Sequence, residues 1–188
     1  MRVLISLMCA LLMGLGPAQA AVQQEAPPAL KAAAAQCFGK QSATWQQMID
    51  ACTKVIGAKV HPSQMAAAYY NRGSAYVRLG PASAGKAVAD FSEALKLKPD
   101  FARALVARGS VLVGQQKLDK ALADFNKAIS LDAKSSAAFN NRGMAYMGKK
   151  DFPKAIADFT KAIELAPGDP DSLKALERKE YNYFMETL

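Results

Sequence analysis

Residues 121–129 read ALADFNKAI, and a close copy, AIADFTKAI, returns 34 residues later at 155–163. A third version, AVADFSEAL, stands 34 residues before the first, at 87–95. An Arg-Gly pair precedes each copy, and the three pairs begin at Arg72, Arg108 and Arg142. The first two pairs are 36 residues apart, so two residues are inserted within the first copy, near 81–85. A period of this length, with two helical patterns in each copy, is typical of a helical solenoid.

The composition favours packed helices over a sheet. Hydrophobic residues make up 51% of the chain, and alanine, which has the highest helix propensity, is prominent among them. No segment alternates polar and apolar residues with the period of two that marks a strand. The sequence therefore predicts an all-α protein of one ordinary domain.

The first twenty residues have the form of a secretory signal. Arg2 supplies the positive region, an apolar run follows, and Ala18-Gln19-Ala20 resembles a cleavage site. The run is too short for a typical membrane span. Lipid attachment at Cys9 is the alternative, but Met8 stands where a small residue would be needed. We expect cleavage after Ala20, a periplasmic or secreted location, and a net charge of +7, since +8 falls by one with Arg2.

Two cysteines, Cys37 and Cys52, remain after the signal. An even number in an exported chain indicates a disulfide, and the alternative is a pair of buried free thiols. A bridge would close a loop of about 15 residues, contributing on the order of 3 kcal/mol in the chain-entropy model. When residues 49–56 are aligned with 156–163, Cys52 takes the place of the repeating phenylalanine. We therefore interpret the N-terminal helices as a degenerate half repeat.

Apolar spacing and helix-ending residues divide the chain into seven segments. Thr44 or Ser42, Asp100 and Ser135 are predicted helix N-caps. Gly80 and Gly114 or Gly148 are predicted to mark the turns within the helix pairs, and Gly57 to stop the helix that starts near Trp45. The segments are a signal peptide (1–20), a flexible tether (21–28), disulfide-linked N-terminal helices (29–65), three repeats (66–101, 102–135 and 136–169) and a polar C-terminal capping helix (170–188).

The three copies resemble tetratricopeptide repeats, which are antiparallel helix pairs of 34 residues. Small and aromatic residues at fixed places carry the resemblance, together with a terminal proline that Ala133 replaces in the middle copy. These residues are Gly73, Gly109, Gly143, Phe91, Phe125, Phe159, their flanking alanines, Pro99 and Pro167. The resemblance implies a right-handed α–α superhelix whose first helices line a concave groove for a peptide or a partner's helix.

The same resemblance places ten candidate groove residues on the first helix of each pair. Asn71 and Asn141 hold the same repeat position, while Ala107 interrupts the ladder between them. An amide there offers both a donor and an acceptor to a peptide backbone, and the alternative is ordinary solvated surface. The candidates are Tyr70, Asn71, Ser74, Arg78, Arg103, Val106, Ser110, Asn140, Asn141 and Met144.

Recurring charges in the copies indicate structure rather than catalysis. Asp90, Asp124 and Asp158 each follow a lysine by four residues and face a recurring arginine on the other helix of the pair. An Arg–Asp bridge there would hold the helix register. His61 is the only histidine, and no nucleophile set, phosphate loop or metal-ligand cluster accompanies it. The sequence therefore predicts no enzyme, no metal and no cofactor.

These observations predict an exported bacterial interaction module, or scaffold, that binds a protein or peptide in its groove. The alternative is a structural accessory subunit of a cell-envelope complex, and an enzyme is less favoured. Nucleic acid is not an expected partner, because the lysines are scattered without aromatic residues between them and export removes that ligand. Weak attraction to an anionic envelope surface stays an alternative use of the basic charge.

Overall fold

A computed structural model describes residues 27–39 and 44–168 of the chain. The predicted signal peptide, all but the end of the tether, and the predicted capping helix lie outside these residues. The chain divides into two compact units after Ala32. The described part of the first unit is the start of a helix, where the amides of Leu30 and Lys31 donate to the carbonyl of Pro27.

The described residues form eight α-helices and no strand. A short 3-10 turn, Pro81–Ser83, lies between the third and fourth helices. The helices are α1 (Pro28–Phe38), α2 (Trp45–Gly57), α3 (Pro62–Arg78), α4 (Ala84–Leu97), α5 (Ala102–Gly114), α6 (Leu118–Leu131), α7 (Ser136–Gly148) and α8 (Phe152–Leu165).

From α2 onward each helix packs on the next one in the chain, and α5 also contacts α3 and α7. Short connections make consecutive helices antiparallel. The first helices of the three pairs, α3, α5 and α7, therefore lie side by side. The all-α fold of repeated antiparallel helix pairs that the sequence predicts is confirmed.

Glycine and phenylalanine form the contact within each pair. Phe91, Phe125 and Phe159 are fully buried, and each ring lies against the glycine of the facing helix. A Cβ atom on that glycine would stand 2.8 Å from Cε1 of Phe91, 2.5 Å from Cε1 of Phe125 and 2.7 Å from Cε1 of Phe159. These distances are shorter than real Cβ contacts, so only glycine lets the two helices approach this closely.

A bidentate ion pair holds the two helices of each pair together. Nε and Nη2 of Arg108 donate to the Asp124 carboxylate at 2.8 and 2.7 Å. Arg72 pairs with Asp90, and Arg142 with Asp158, in the same geometry. The hydrogen bonds to aspartate raise the pKa of each arginine, and the negative charge of the carboxylate adds to this rise against the opposing effect of burial. The predicted Arg–Asp bridge is present in all three pairs.

Each of these arginines also reaches the preceding repeat. Nη1 of Arg108 donates to Ser92 at 3.1 Å, while the other two arginines donate to Thr53 at 3.0 Å and to Asn126 at 2.8 Å. One side chain thus joins three helices. The lysine four residues before each aspartate makes no ion pair with it in the described residues, and Lys154 pairs with Asp151 instead.

The N-terminal helices follow the same plan with different chemistry. The structure joins Cys37 of α1 to Cys52 of α2, with Cα atoms 4.8 Å apart, and both cysteines are buried. Thr53 follows Cys52 just as Ser92 follows Phe91, and both hydroxyls accept from an arginine of the next pair. The disulfide therefore stands where the later pairs have a buried ring.

The predicted N-caps are correct at two positions and wrong at one. Thr44 forms a capping box with Gln47, and Ser135 accepts from the amide of Ala138. The prediction for Asp100 is wrong because α5 begins at Ala102, one residue later than that cap requires. Phe101 is the N-cap residue and makes no side-chain cap bond. Asp100 lies outside the helix, where its carboxylate is not in the capping position.

The turns within the second and third pairs use different residues from those predicted. Gly80 has a φ of 101°, as a glycine turn requires, but Gly114 and Gly148 are the last residues of α5 and α7. The left-handed residues are Gln116 and Lys150, with φ of 58° and 61°. In each turn the next amide reaches back to a carbonyl of the last helical turn, which is the Schellman closure.

Candidate functional site: the face of the first helices

The ten groove candidates lie on α3, α5 and α7, and we call this set the first-helix face. The opposite side of each helix is buried and carries small residues such as Ala68, Gly109 and Ala145. Small residues on the buried side allow close packing, so the longer polar and apolar side chains are left on the other side. The first-helix face consists of Tyr70, Asn71, Ser74, Arg78, Arg103, Val106, Ser110, Asn140, Asn141 and Met144.

Arg103 is an exposed cation held in place by two aromatic rings. Its guanidinium carbon lies 5.7 Å from the ring centres of both Tyr70 and Phe101. The two rings are themselves 5.0 Å apart, so they form a joint support. No carboxylate of the described residues pairs with Arg103. The side chain therefore presents an ordered positive charge to solvent.

The two asparagines of the ladder make different contacts within the protein. Nδ2 of Asn71 donates to the carbonyl of Cys37 at 2.9 Å, near the C-terminal end of α1. Asn141 donates to the carbonyl of Ala137 at 2.8 Å and accepts from Ser110 at 2.9 Å. Each amide thus uses one of its two N–H donors within the protein. One contact lies at the end of a helix and the other joins two repeats, so a role of these amides in ligand binding stays a prediction.

Three further candidates are partly withdrawn from solvent. The hydroxyl of Ser74 donates to the carbonyl of Tyr70 at 2.9 Å. Val106 packs against two apolar clusters, one that joins all three repeats and one between the second and third. Oδ1 of Asn140 is buried and has no hydrogen-bond partner in the described structure. These residues shape the face, but they offer a ligand little contact area.

The remaining exposed groups on this side are apolar or cationic. Met144 is 40% exposed, and Val77, on the same side of α3, is 43% exposed. The guanidinium of Arg78 lies 5.8 Å from the ring centre of Trp45, which is 45% exposed. A ligand at this face would meet two apolar side chains and two arginines.

Sequence reasoning missed Phe101 as part of this site. Phe101 lies beside Tyr70 and beneath Arg103, although it stands just before α5 and belongs to no repeating position. The only available signal was an aromatic residue two positions before an exposed arginine. That signal has no meaning until the path of the chain between α4 and α5 is known.

The structure gives His61 a local role. Its Nδ1 accepts from the amide of Ser63 at 3.3 Å, so the ring caps the start of α3. Within residues 27–39 and 44–168, no group of three or more His, Cys, Asp or Glu side chains is placed to hold a metal ion. Over the same residues, no helix is both long enough and apolar enough to cross a membrane.

Three family models described as tetratricopeptide repeat match the chain. The matches cover residues 66–101, 84–136 and 136–169, and together they span 66–169. A search among curated proteins found no match.

Several solved structures have the same fold as this chain. MamA from Desulfovibrio magneticus superposes with a TM-score of 0.70 at 20% identity, covering 84% of this chain and 86% of that one. YrrB, described as having an unusual peptide-binding site, gives 0.62 at 25% identity, with 71% and 66% covered. The second repeat domain of human RPAP3, in complex with the HSP70 peptide SGPTIEEVD, gives 0.59 at 23% identity, with 64% and 98% covered.

Proposed function

The chain belongs to the tetratricopeptide-repeat family, and from this premise we propose that it is a non-catalytic interaction module. Its ligand is a peptide or a helix of a partner protein, bound at the first-helix face. The complexes and binding sites described for YrrB and RPAP3 support a peptide as the ligand class. The proposal requires no cofactor, because binding alone is the activity.

The observation that carries the proposal is the ordered guanidinium of Arg103, which has no carboxylate partner among the described residues. An arginine offers a planar set of donors that fits a carboxylate, and stacking on Tyr70 and Phe101 reduces the entropy lost on binding. Exposed Met144 and Val77 supply apolar contact on the same side of the repeats. We infer a ligand with a carboxylate for Arg103 and at least one apolar side chain.

The experiment selects peptides from a random library on the mature protein and measures their affinity for variants. Arg103→Gln keeps a side-chain stem over the two rings but removes the charge, and we expect about a tenfold loss of affinity or more. Lys134→Gln, which removes an exposed cation in the turn between repeats, is the matched control and should bind normally. Equal affinity of wild type and Arg103→Gln would contradict the proposal. Binding only to a large envelope assembly would favour the accessory-subunit alternative.

We also propose that the protein acts outside the bacterial cytoplasm after losing residues 1–20. The sequence pattern of that segment and the pairing of Cys37 with Cys52 support this location. Cell fractionation followed by N-terminal sequencing should find a chain that begins at Ala21. A cytoplasmic chain that retains Met1 would contradict this part of the proposal.

A further inference from the structure

The two-residue insertion in the first repeat forms one wall of a cavity. In the second and third pairs, three residues separate the two helices, whereas five, 79–83, separate α3 from α4. Gly80 turns the chain with its positive φ, and the 3-10 turn then connects it to α4. The resulting cavity has a volume of about 470 Å³. It is lined by Val77, Gly80, Pro81, Ala84, Gly85, Val111, Gly114 and Gln115.

The walls of this cavity consist mainly of small and apolar residues. No heavy atom lies within 4 Å of a Cβ placed on Gly80, Gly85 or Gly114, so all three glycines face open space. Gln115 contributes the polar part of the lining. The volume falls in the range of roughly 300–1,000 Å³ that is common for ligand pockets. The cavity thus has room for a large apolar side chain from another molecule.

The edge of the solenoid that carries this cavity is strongly basic. We define the turn edge as residues 78–86, 114–120 and 148–154, the turns within the three pairs. It holds seven basic residues and two acids, and the acids, Asp119 and Asp151, are already paired with Lys149 and Lys154. The other five bases make no ion pair with the described residues. They are Arg78, Lys86, Lys117, Lys120 and Lys150.

One of these bases forms a hydrogen bond with a residue that lines the cavity. Nζ of Lys117 donates to Oε1 of Gln115, a lining residue, at 2.9 Å. Lys86 follows Gly85, another lining residue, in the chain. An apolar cavity with unpaired positive charge at its rim is complementary to a negatively charged segment that contains a large apolar residue.

We propose that the turn edge binds an acidic segment of a partner protein, and that one aromatic or large aliphatic side chain of the segment enters the cavity. A peptide fits better than an anionic membrane surface, because a recessed cavity selects a single projecting side chain. This site goes beyond the first-helix face, although Arg78 lies in both and Val77, which lines the cavity, stands on the same side of α3 as that face. One partner can therefore contact the repeats at two separate places.

The test uses a fluorescein-labelled peptide with a central tryptophan flanked by glutamates, and a matched peptide with alanine in place of the tryptophan. We expect the mature wild-type protein to bind the tryptophan peptide at least about tenfold more tightly. Gly85→Leu places a large side chain at the lining of the cavity and should abolish this preference. Gly57→Leu is the matched control, since Gly57 also faces open space but lies on α2, and it should keep the preference.

Charge variants test whether the basic residues of the turn edge bind the acidic segment. Lys117→Glu combined with Lys120→Glu should weaken binding of the tryptophan peptide about tenfold at low salt, and the effect should shrink as salt screens the charges. Lys134→Glu, in the turn between repeats, is the control and should have little effect. Equal weakening by both sets of charge changes would overturn the proposed position of the acidic segment.

Three results would overturn the inference. The first is a tryptophan preference that survives in Gly85→Leu. The second is a preference lost in Arg103→Gln but kept in Gly85→Leu, which would place the peptide on the first-helix face. The third is binding of phosphatidylglycerol vesicles that the tryptophan peptide does not compete for, without binding of the peptide itself. A preference lost only in Gly85→Leu supports the cavity even if the first-helix face has no ligand.

Discussion

Replacing Gly109 by alanine tests whether the glycine–phenylalanine contact sets the helix spacing. The new methyl carbon would stand 2.5, 2.8 and 3.0 Å from Cε1, Cζ and Cδ1 of Phe125. The ring is fully buried in the middle repeat, so it cannot turn aside into solvent. Either α5 and α6 separate or the ring leaves its preferred rotamer.

The expected magnitude follows from two opposing effects. Alanine favours a helix over glycine by about 1 kcal/mol, which alone would stabilise the protein. Overpacking of a filled core costs about 1–3 kcal/mol, and the clash here involves three ring atoms. We therefore expect Gly109→Ala to lower the free energy of unfolding by up to about 2 kcal/mol. Gly114→Ala in the same helix meets nothing within 4 Å and should raise it by about 0.5–1 kcal/mol.

The assay is urea unfolding followed by far-ultraviolet circular dichroism, with both variants measured beside wild type. Combining Gly109→Ala with Phe125→Leu should cost less than the sum of the two single changes, because the smaller side chain makes room for the methyl group. The reasoning is refuted if Gly109→Ala is as stable as Gly114→Ala. Additive effects in the double variant would show that the ring is not what the methyl group meets.

Three further predictions concern other parts of the fold. Arg108→Ala leaves the carboxylate of Asp124 buried without its partner and should lower the free energy of unfolding in urea by about 3–5 kcal/mol. Removing both side chains together should lower it by less, and equal losses in the single and double variants would contradict this. Gln116→Gly relieves a left-handed backbone and should stabilise the protein by about 1 kcal/mol in the same assay, and any loss would count against the strain. Thiol titration of the denatured mature protein should find no free thiol, and reduction of Cys37–Cys52 should lower stability by about 3 kcal/mol; two free thiols would refute the bridge.

The contacts that the sequence predicted well are those in which both partners recur with the period. Gly109 and Phe125 repeat together, and so do Arg108 and Asp124, so one correct pair implied the other two. Periodicity predicts these contacts because the two helices of each copy pack together through the same residues at the same repeat positions. The prediction needs no knowledge of the loops.

The contacts that the sequence did not predict depend on residues that differ between copies. The third helix reached by each arginine presents Thr53, Ser92 or Asn126, which share no residue type although they share a position. Asn71 and Asn141 share both type and position, yet α1 ends beside one and Ser110 lies beside the other. Local surroundings, not repeat position, decide what an amide binds.

The cavity at the turn edge was also beyond sequence reasoning. The insertion was visible as a change of period, but its consequence depends on the positive φ of Gly80 and on the direction of the 3-10 turn. Two extra residues in another conformation would have projected into solvent. Only the folded path of the chain shows that Gly80 and Pro81 line a space together with residues of α5.

The arginine that joins three helices makes an equivalent contact with the preceding repeat in every copy. Its Nη1 atom donates to a hydroxyl oxygen in Thr53 and Ser92 and to an amide oxygen in Asn126. A second copy of residues 102–135 placed after residue 135 would find Asn126 in front of it and would offer its own Asn to the next arginine. The arginine contact at the junction would therefore be kept if gene duplication lengthened the array by a copy of this repeat.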